Sequence, residues 1–328
     1  MPSIRLSRRL LALVSFCLSS LPSGIGQEPF QVKFRVAKDM IVVPVTINGA
    51  GPFDFLVDTG STDTIIDRKL AEELHLPSAG TMILETAEGK AVTSLIQTDS
   101  VSMGGATVRG LNLGVVNNYA NILPKVRGSV GEDFLGSFDL LIDNRRHLIH
   151  FEPSGGLLAD RLTGEHLPLS LNGSYEGELT RNRLVVVGRI HELGNKNVNL
   201  LLDSGTPSTV LFTTLNTSTL VSGASLSYSL GGIFGNGSLV DPQTARFLRL
   251  GEKVFIDLTI FVPRGKIPAM DVDGLLPTAL FRSIFISHSG KFVILDPSTN
   301  TALGQSKPAP HPDADISVAR SLQTESRD

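Results

Sequence analysis

Phe53-Asp54-Phe55-Leu56-Val57-Asp58-Thr59-Gly60-Ser61 runs an apolar strand into an Asp-Thr-Gly-Ser turn. Asn199-Leu200-Leu201-Leu202-Asp203-Ser204-Gly205-Thr206 does so again, with Asp58 and Asp203 standing 145 residues apart. Each segment has an apolar run before it, Met40 to Ile47 and Arg183 to Ile190. Each has a β-branched run after it, Thr64-Ile65-Ile66 and Ser208-Thr209-Val210-Leu211. Further along, Gly128-Ser129-Val130-Gly131-Glu132-Asp133-Phe134-Leu135 is echoed by Gly274-Leu275-Leu276-Pro277-Thr278-Ala279-Leu280-Phe281, 146 residues later. Val108–Val116 and Val254–Val262 both alternate apolar and polar residues, as half-buried strands do. His147–Pro153 and Lys291–Pro297 close the two units, with their prolines 144 residues apart. Landmarks in one order at a nearly constant offset imply an internal duplication whose unit is domain-sized, too long for a solenoid repeat. The expectation is an all-β chain of two tandem lobes.

Composition agrees with that reading and narrows the function. A chain of 328 residues suggests about two domains. A hydrophobic fraction of 41% against 19% charged suffices for sizeable cores. With 29 Lys+Arg, 32 Asp+Glu and a net charge of −3, the chain lacks the basic excess of a nucleic-acid binder. Cys17 is the single cysteine, so no disulfide, thiolate metal site or cysteine nucleophile is available within the chain.

Cys17 lies in an N-terminal stretch with its own logic. Arg5, Arg8 and Arg9 precede the apolar run Leu10 to Leu18, and no acid occurs before Glu28. This is the pattern of a secretory signal peptide, and the run falls short of the roughly 20 residues a spanning helix needs. The expected organisation is a signal peptide over 1–26, a first lobe over 27–156, a Gly-containing linker over 157–166, a second lobe over 167–300 and a disordered tail over 301–328. Secretion without disulfides suits a bacterial periplasm or exterior.

An aspartate ending an apolar strand once per lobe, with both strand ends facing the gap between lobes, brings two carboxyls together. Gly60 and Gly205 allow tight turns and close approach. The hydroxyls of Thr59 and Ser204 are placed to tie the loops to each other, and those of Ser61 and Thr206 to orient the outer carboxylate oxygens. Two carboxyls in contact cannot both ionise cheaply, so the pair holds one proton and offers a base beside an acid. Such a pair activates water and protonates a carbonyl without metal, cofactor or covalent intermediate.

On these residues the chain resembles the retropepsin/pepsin clan of aspartic proteases, in a tandem form most similar to bacterial retropepsin-like, gag-polyprotein-type aspartyl proteases. FLVDTGSTDTIID and LLLDSGTPSTVLF resemble the family's active-site motif, and the Gly-apolar-apolar segments at 128 and 274 its second motif. The likeness runs over roughly residues 30–300. It implies two retropepsin-like (acid protease) barrel lobes with a cleft between them. It also implies that Asp58 and Asp203 are the catalytic pair, supported by Thr59, Gly60, Ser61, Ser204, Gly205 and Thr206, and that a β-hairpin flap closes the cleft. Thr86, Ala87, Glu88 and Gly89 are the flap candidates in the first lobe, and Gly232 and Gly235 in the second. The implied substrate is an extended polypeptide, with no cofactor, no metal, no nucleic acid and no membrane after signal cleavage. Both aspartates lie in one chain, so a monomer suffices. Pro277, standing where Gly131 stands in the first lobe, Ser129 in place of an apolar residue, and Pro207 after Thr206 depart from the pattern.

Rival readings leave marks of their own. A catalytically inert peptide-binding protein would keep the fold without turnover. A glycosidase also uses two carboxylates, but six percent aromatics and no tryptophan supply little sugar-stacking surface. His147 and His150 resemble a zinc pair, yet three residues apart on a strand they point to opposite faces. No Gly-x-Ser-x-Gly elbow surrounds Ser61 or Ser204, against a serine nucleophile. Asp139 and Asp143 read as residues flanking a strand, and Glu72-Glu73 as a solvated helix face.

Overall fold

The computed structural model describes residues 29–86, 89–117, 119, 122–153, 155–156, 158–175, 178–212, 220–222, 228–230, 238–264 and 272–299. Three sheets carry the fold. The first has ten strands drawn from residues 35–130, the second nine strands from 170–277. The third has six strands in the order Phe30–Lys33, Leu148–Pro153, Phe138–Asp143, Ser283–Ser287, Phe292–Leu295, His166–Pro168. At its centre Phe138–Asp143 pairs antiparallel with Ser283–Ser287, Leu140 opposite Ile286 and Ile142 opposite Ile284. This sheet joins the two halves of the chain.

The first two sheets share a wiring. Ala50–Val57 runs parallel to Gly128–Val130, which lies antiparallel to Ile65–Asp67, itself parallel to Asn112–Val116. In the second sheet Asn197–Asp203 runs parallel to Gly274–Pro277, which lies antiparallel to Val210–Leu211, itself parallel to Lys253–Pro263. The two glycines that open the short middle strands are explained by contact. A Cβ on Gly128 would sit 2.2 Å from the Ile65 carbonyl oxygen, and one on Gly274 2.3 Å from that of Val210. Only glycine admits so close a backbone approach.

The strand Met40–Ile47 shows why these runs are apolar throughout. Met40, Ile41, Val42, Val43, Val45 and Ile47 are all buried, as in strands covered on both faces. Pro44, which lacks an N–H, stands opposite Asp54 on one side and on the other falls between the positions paired with Arg35–Ala37 and those paired with Ser100–Met103. The main core runs without a break from Val32 and Phe34 to Ile286 and Val293, through both halves. Phe30, Phe138 and Phe151 reinforce it, Phe30 stacked on Phe151 at 5.1 Å and Phe138 edge-on to Phe151 at 5.6 Å.

Several local expectations are corrected. The stretch 108–116 is two strands, Ala106–Arg109 and Asn112–Val116, because Gly110 takes φ +71° and turns the chain. Its counterpart Lys253–Pro263 stays continuous. Asp139 and Asp143 lie within Phe138–Asp143 and are buried. Asp139 accepts from the Ser287 and Ser289 hydroxyls and the Ser289 N–H, and Asp143 from the Arg145 and Arg146 N–H groups. The stretch 157–166 contains the helix Leu158–Arg161 and the strand Leu162–Thr163, and its last residue begins His166–Pro168. Among the described residues no helix is long and apolar enough to cross a membrane.

Candidate active site

Asp58 follows the end of Ala50–Val57 and Asp203 ends Asn197–Asp203. Parallel pairing on one side fixes each strand end: the Asp58 N–H donates to the Val130 carbonyl at 3.0 Å, and Asp203 lies in register with Pro277. The two turns then face each other closely. A Cβ on Gly60 would lie 2.5 Å from Cγ of Asp203, and one on Gly205 2.7 Å from Cγ of Asp58. An alanine at either position would drive a methyl group into the opposite carboxyl.

Hydroxyls lock this approach. The Thr59 Oγ1 donates to the Leu202 carbonyl at 2.9 Å and accepts from the Ser204 N–H at 3.0 Å. The Ser204 Oγ donates to the Val57 carbonyl at 2.6 Å and accepts from the Thr59 N–H at 3.1 Å. All four bonds cross between the halves, and Thr59 and Ser204 are buried. Gly60 N–H donates to Asp58 Oδ1 at 3.1 Å and Gly205 N–H to Asp203 Oδ1 at 2.7 Å. The Ser61 N–H donates to the Asp58 main-chain carbonyl at 3.2 Å and closes the turn.

The side chains of Ser61 and Thr206 do something other than expected. Ser61 Oγ donates to the Asp63 carbonyl at 2.8 Å, and Thr206 Oγ1 to the Ser208 carbonyl at 3.2 Å. In so tight a turn each hydroxyl finds a carbonyl two residues on and closes the loop with it.

Burial raises the pKa of both aspartates above the carboxylate range, and for Asp203 the neighbouring charge of Asp58 adds to the effect. Backbone N–H groups oppose the shift without cancelling it. The pair therefore gives up its last proton at a higher pH than a free carboxyl does.

Three groups near the pair were not singled out in the sequence. Asp133 is pushed up to about 6, first by burial, and accepts from the Thr64 hydroxyl at 2.6 Å. Glu132 is raised by burial as well, against the opposing effect of His288. Tyr119, buried in a cluster with Met40, Val42, Leu56, Ile65 and Leu84, is raised by burial and then by the Asp58 charge. The sequence carried one faint signal for the first two, their place in the repeated Gly-apolar-apolar segment.

The expected hairpin forms from Ser78–Thr86 and Gly89–Gln97, with Thr86 opposite Gly89. Leu84 tucks into the Tyr119 cluster and seats the hairpin beside the Asp58 strand, while Ile83 and Val92 face each other on its outer side. Ala87, Glu88, Gly232 and Gly235 lie outside the described residues.

Fold and site together fit an aspartic-type peptidase, and the comparisons point the same way in part. Residues 43–136 match the family model described as "Aspartyl protease", a span that includes Asp58, the hairpin and Gly131. Among solved structures the chain is similar to a retropepsin-like aspartic protease from Rickettsia conorii. The identity is 19% and the TM-score 0.30, over 38% of this chain and 92% of that one. Comparison with curated proteins returns no match.

Proposed function

We propose that the chain is a secreted, two-lobed aspartic endopeptidase in which Asp58 and Asp203 share one proton and split peptide bonds with water. The observation that carries this reading is the mutual approach of two carboxyls, Asp203 buried and Asp58 half-buried, held by four reciprocal bonds of Thr59 and Ser204. The ionised carboxyl takes a proton from the attacking water. The protonated one donates to the carbonyl oxygen of the scissile bond, so the pair still holds one proton, now on the other carboxyl. That carboxyl protonates the amine nitrogen as the C–N bond breaks, and a hydroxyl of the tetrahedral intermediate gives its proton back to the pair. The substrate is an extended polypeptide lying between the lobes and under the hairpin, its backbone pairing as an added strand. Each lobe supplies one aspartate, so a monomer is sufficient.

The repeated wiring of the two sheets supports tandem lobes over 27–156 and 167–300. The basic-then-apolar composition of residues 1–26 supports export to a periplasm or exterior.

The test is cleavage of an unstructured protein such as casein from about pH 3 to 7, with and without pepstatin. Wild type, Asp58→Asn and Asp203→Asn are run side by side. Pepstatin-sensitive cleavage that falls away on the alkaline side, lost in either variant, is the expected result. Folded protein without turnover in all three would support an inert peptide-binding role and overturn the reading.

A further inference from the structure

The turn following each central strand of the shared sheet reaches across to the other half, and the two turns grip by different chemistry. After Phe138–Asp143, Asn144 sends its Nδ2 to the carbonyls of Thr278 and Phe281, at 3.0 and 2.9 Å. After Ser283–Ser287, His288 sends Nδ1 to the Phe138 carbonyl at 2.6 Å and Nε2 to Glu132 Oε2 at 2.8 Å. Asn144 and His288 stand 144 residues apart, the offset that also relates Pro153 and Pro297. Each thus holds the short helix of the other half, Thr278–Leu280 or Glu132–Leu135.

We propose that His288 and Glu132 form a one-proton clamp between the lobes that positions the Asp58 loop, while Asn144 makes the matching grip on the Asp203 side without a titratable group. The clamp stands on its own geometry; its bearing on catalysis rests on the proposed roles of Asp58 and Asp203.

Hydrogen-bond chemistry sets the proton count. A carbonyl only accepts, so His288 Nδ1 must carry a hydrogen toward Phe138. Between Nε2 and Glu132 Oε2 one proton makes a bond, whichever atom owns it, and the pair is then net neutral. Two protons oppose two donors, and none opposes two lone pairs. Both residues are buried, so water offers no replacement. Glu132 Oε1 is buried and finds no partner among the described residues, leaving the His288 bond as that carboxyl's side-chain anchor.

From Glu132 a single backbone bond reaches the loop that carries Asp58. The Glu132 N–H donates to the Ser61 carbonyl at 2.9 Å, and the Asp133 N–H to that of Thr62 at 3.0 Å. The helix Glu132–Leu135 therefore sits directly on the loop that carries Asp58. Glu132 and His288 are positioning residues; neither is placed to touch substrate.

The charges around the clamp bias its proton. Asp58 and Asp133 act on Glu132 as like charges, and Asp139 faces His288 as an opposite one. Burial raises Glu132. For His288, burial alone lowers the pKa, but the Glu132 bond and charge, the Phe138 carbonyl and Asp139 outweigh it and raise the group. A raised imidazole contributes stability that is complete below the unfolded value and is lost as pH rises through the folded one. The clamp is thus closed in weak acid and opens on the alkaline side, where the Asn144 grip persists.

The experiment is a pH titration of the imidazole nitrogens by long-range proton–nitrogen NMR on the full chain, with His288 assigned by His288→Asn. In wild type, Nδ1 should stay protonated and the Nε2 response should fall above the ~6.5 of a free imidazole. Glu132→Gln should remove that displacement, because an amide can turn to match either state of the ring. Its casein profile should change in pH dependence and kcat, with KM little altered. A wild-type midpoint at the free value, or one unmoved by Glu132→Gln in a folded variant, would overturn the clamp. The wild-type titration decides the matter even if Glu132→Gln fails to fold. A displaced titration in a protein without turnover would leave the clamp standing and remove the peptidase reading instead.

Discussion

Thr64 and Thr209 occupy one position in the two halves and live in opposite circumstances. Thr64 Oγ1 accepts from the Gly131 N–H at 3.1 Å and donates to Asp133 Oδ1. In the second half Pro277 has no N–H and Ala279 no carboxyl, and the buried Thr209 hydroxyl finds no partner among the described residues. Removing one partner of a buried bond costs about 1–3 kcal/mol, whereas removing an unpaired hydroxyl relieves a desolvation cost. Thr64→Val should therefore lose about 1–3 kcal/mol in urea unfolding, and Thr209→Val should be neutral or stabilising. An equal loss at both positions would show that the Thr209 hydroxyl is bonded after all. The aspartate pair makes the converse trade. Its carboxyls have folded pKa values raised by burial. Ionising them costs stability above those values, and the cost vanishes as pH falls below the ordinary unfolded value near 4. Asp203→Asn should thus lose activity and yet melt higher than wild type at pH 8, at about 2–4 °C per kcal/mol relieved, with the gap closing by about pH 4. A variant that melts lower at pH 8 would show that the ionised pair is not penalised.

The short strands Gly128–Val130 and Gly274–Pro277 are the elements that aim the aspartates, and each begins at a glycine pressed on a carbonyl. Neither partner can yield, since Ile65 and Val210 are held in the same sheets. Gly128→Ala and Gly274→Ala should each destabilise by about 1–3 kcal/mol or more through overpacking. Gly49, which meets nothing within 4 Å but holds φ +79°, should lose only the smaller cost of a strained turn when made alanine. Urea unfolding of the three variants checks the order, and equal losses would refute it. Gly128 and Gly274 were legible in the sequence because they recur at one offset and open matching segments, and so were the aspartates and the strand Met40–Ile47. The break at Gly110 was not, because an alternating pattern continues across it while one left-handed residue turns the chain. Nor was the clamp: Glu132 and His288 are 156 residues apart, and Asn144 lies 134 from Thr278. A lone histidine in a turn shows nothing of its partner until the shared sheet brings it there. The Ser61 and Thr206 hydroxyls were misdirected for a local reason, since residue type names a donor but the turn chooses its acceptor.

At the scale of the molecule the two halves are separate in sequence and joined in space. Phe138–Asp143 and Ser283–Ser287 pair at the centre of the six-stranded sheet, Phe30–Lys33 and His166–Pro168 form its edges, and the main core passes through it. The reciprocal Thr59 and Ser204 bonds and the two turn grips lie on the same junction. Opening one half alone would expose Leu140, Ile142, Ile284 and Ile286, all buried, and strip both sides of the aspartate pair of partners. Apolar burial of that kind couples units that would otherwise melt separately. Calorimetry should therefore show one transition rather than two, and native-state hydrogen exchange should find the amides of 139–142 and 284–286 among the slowest. Leu140 and Ile286 face each other in register, so Leu140→Ala and Ile286→Ala should each cost about 2–5 kcal/mol, with a coupling of roughly 0.5 kcal/mol or more in the double variant. If the truncations instead split the transition in two, the lobes would be independent units that dock. The aspartate pair would then be assembled by docking, and activity should fall in proportion to the undocked fraction, well below the temperature at which either lobe melts.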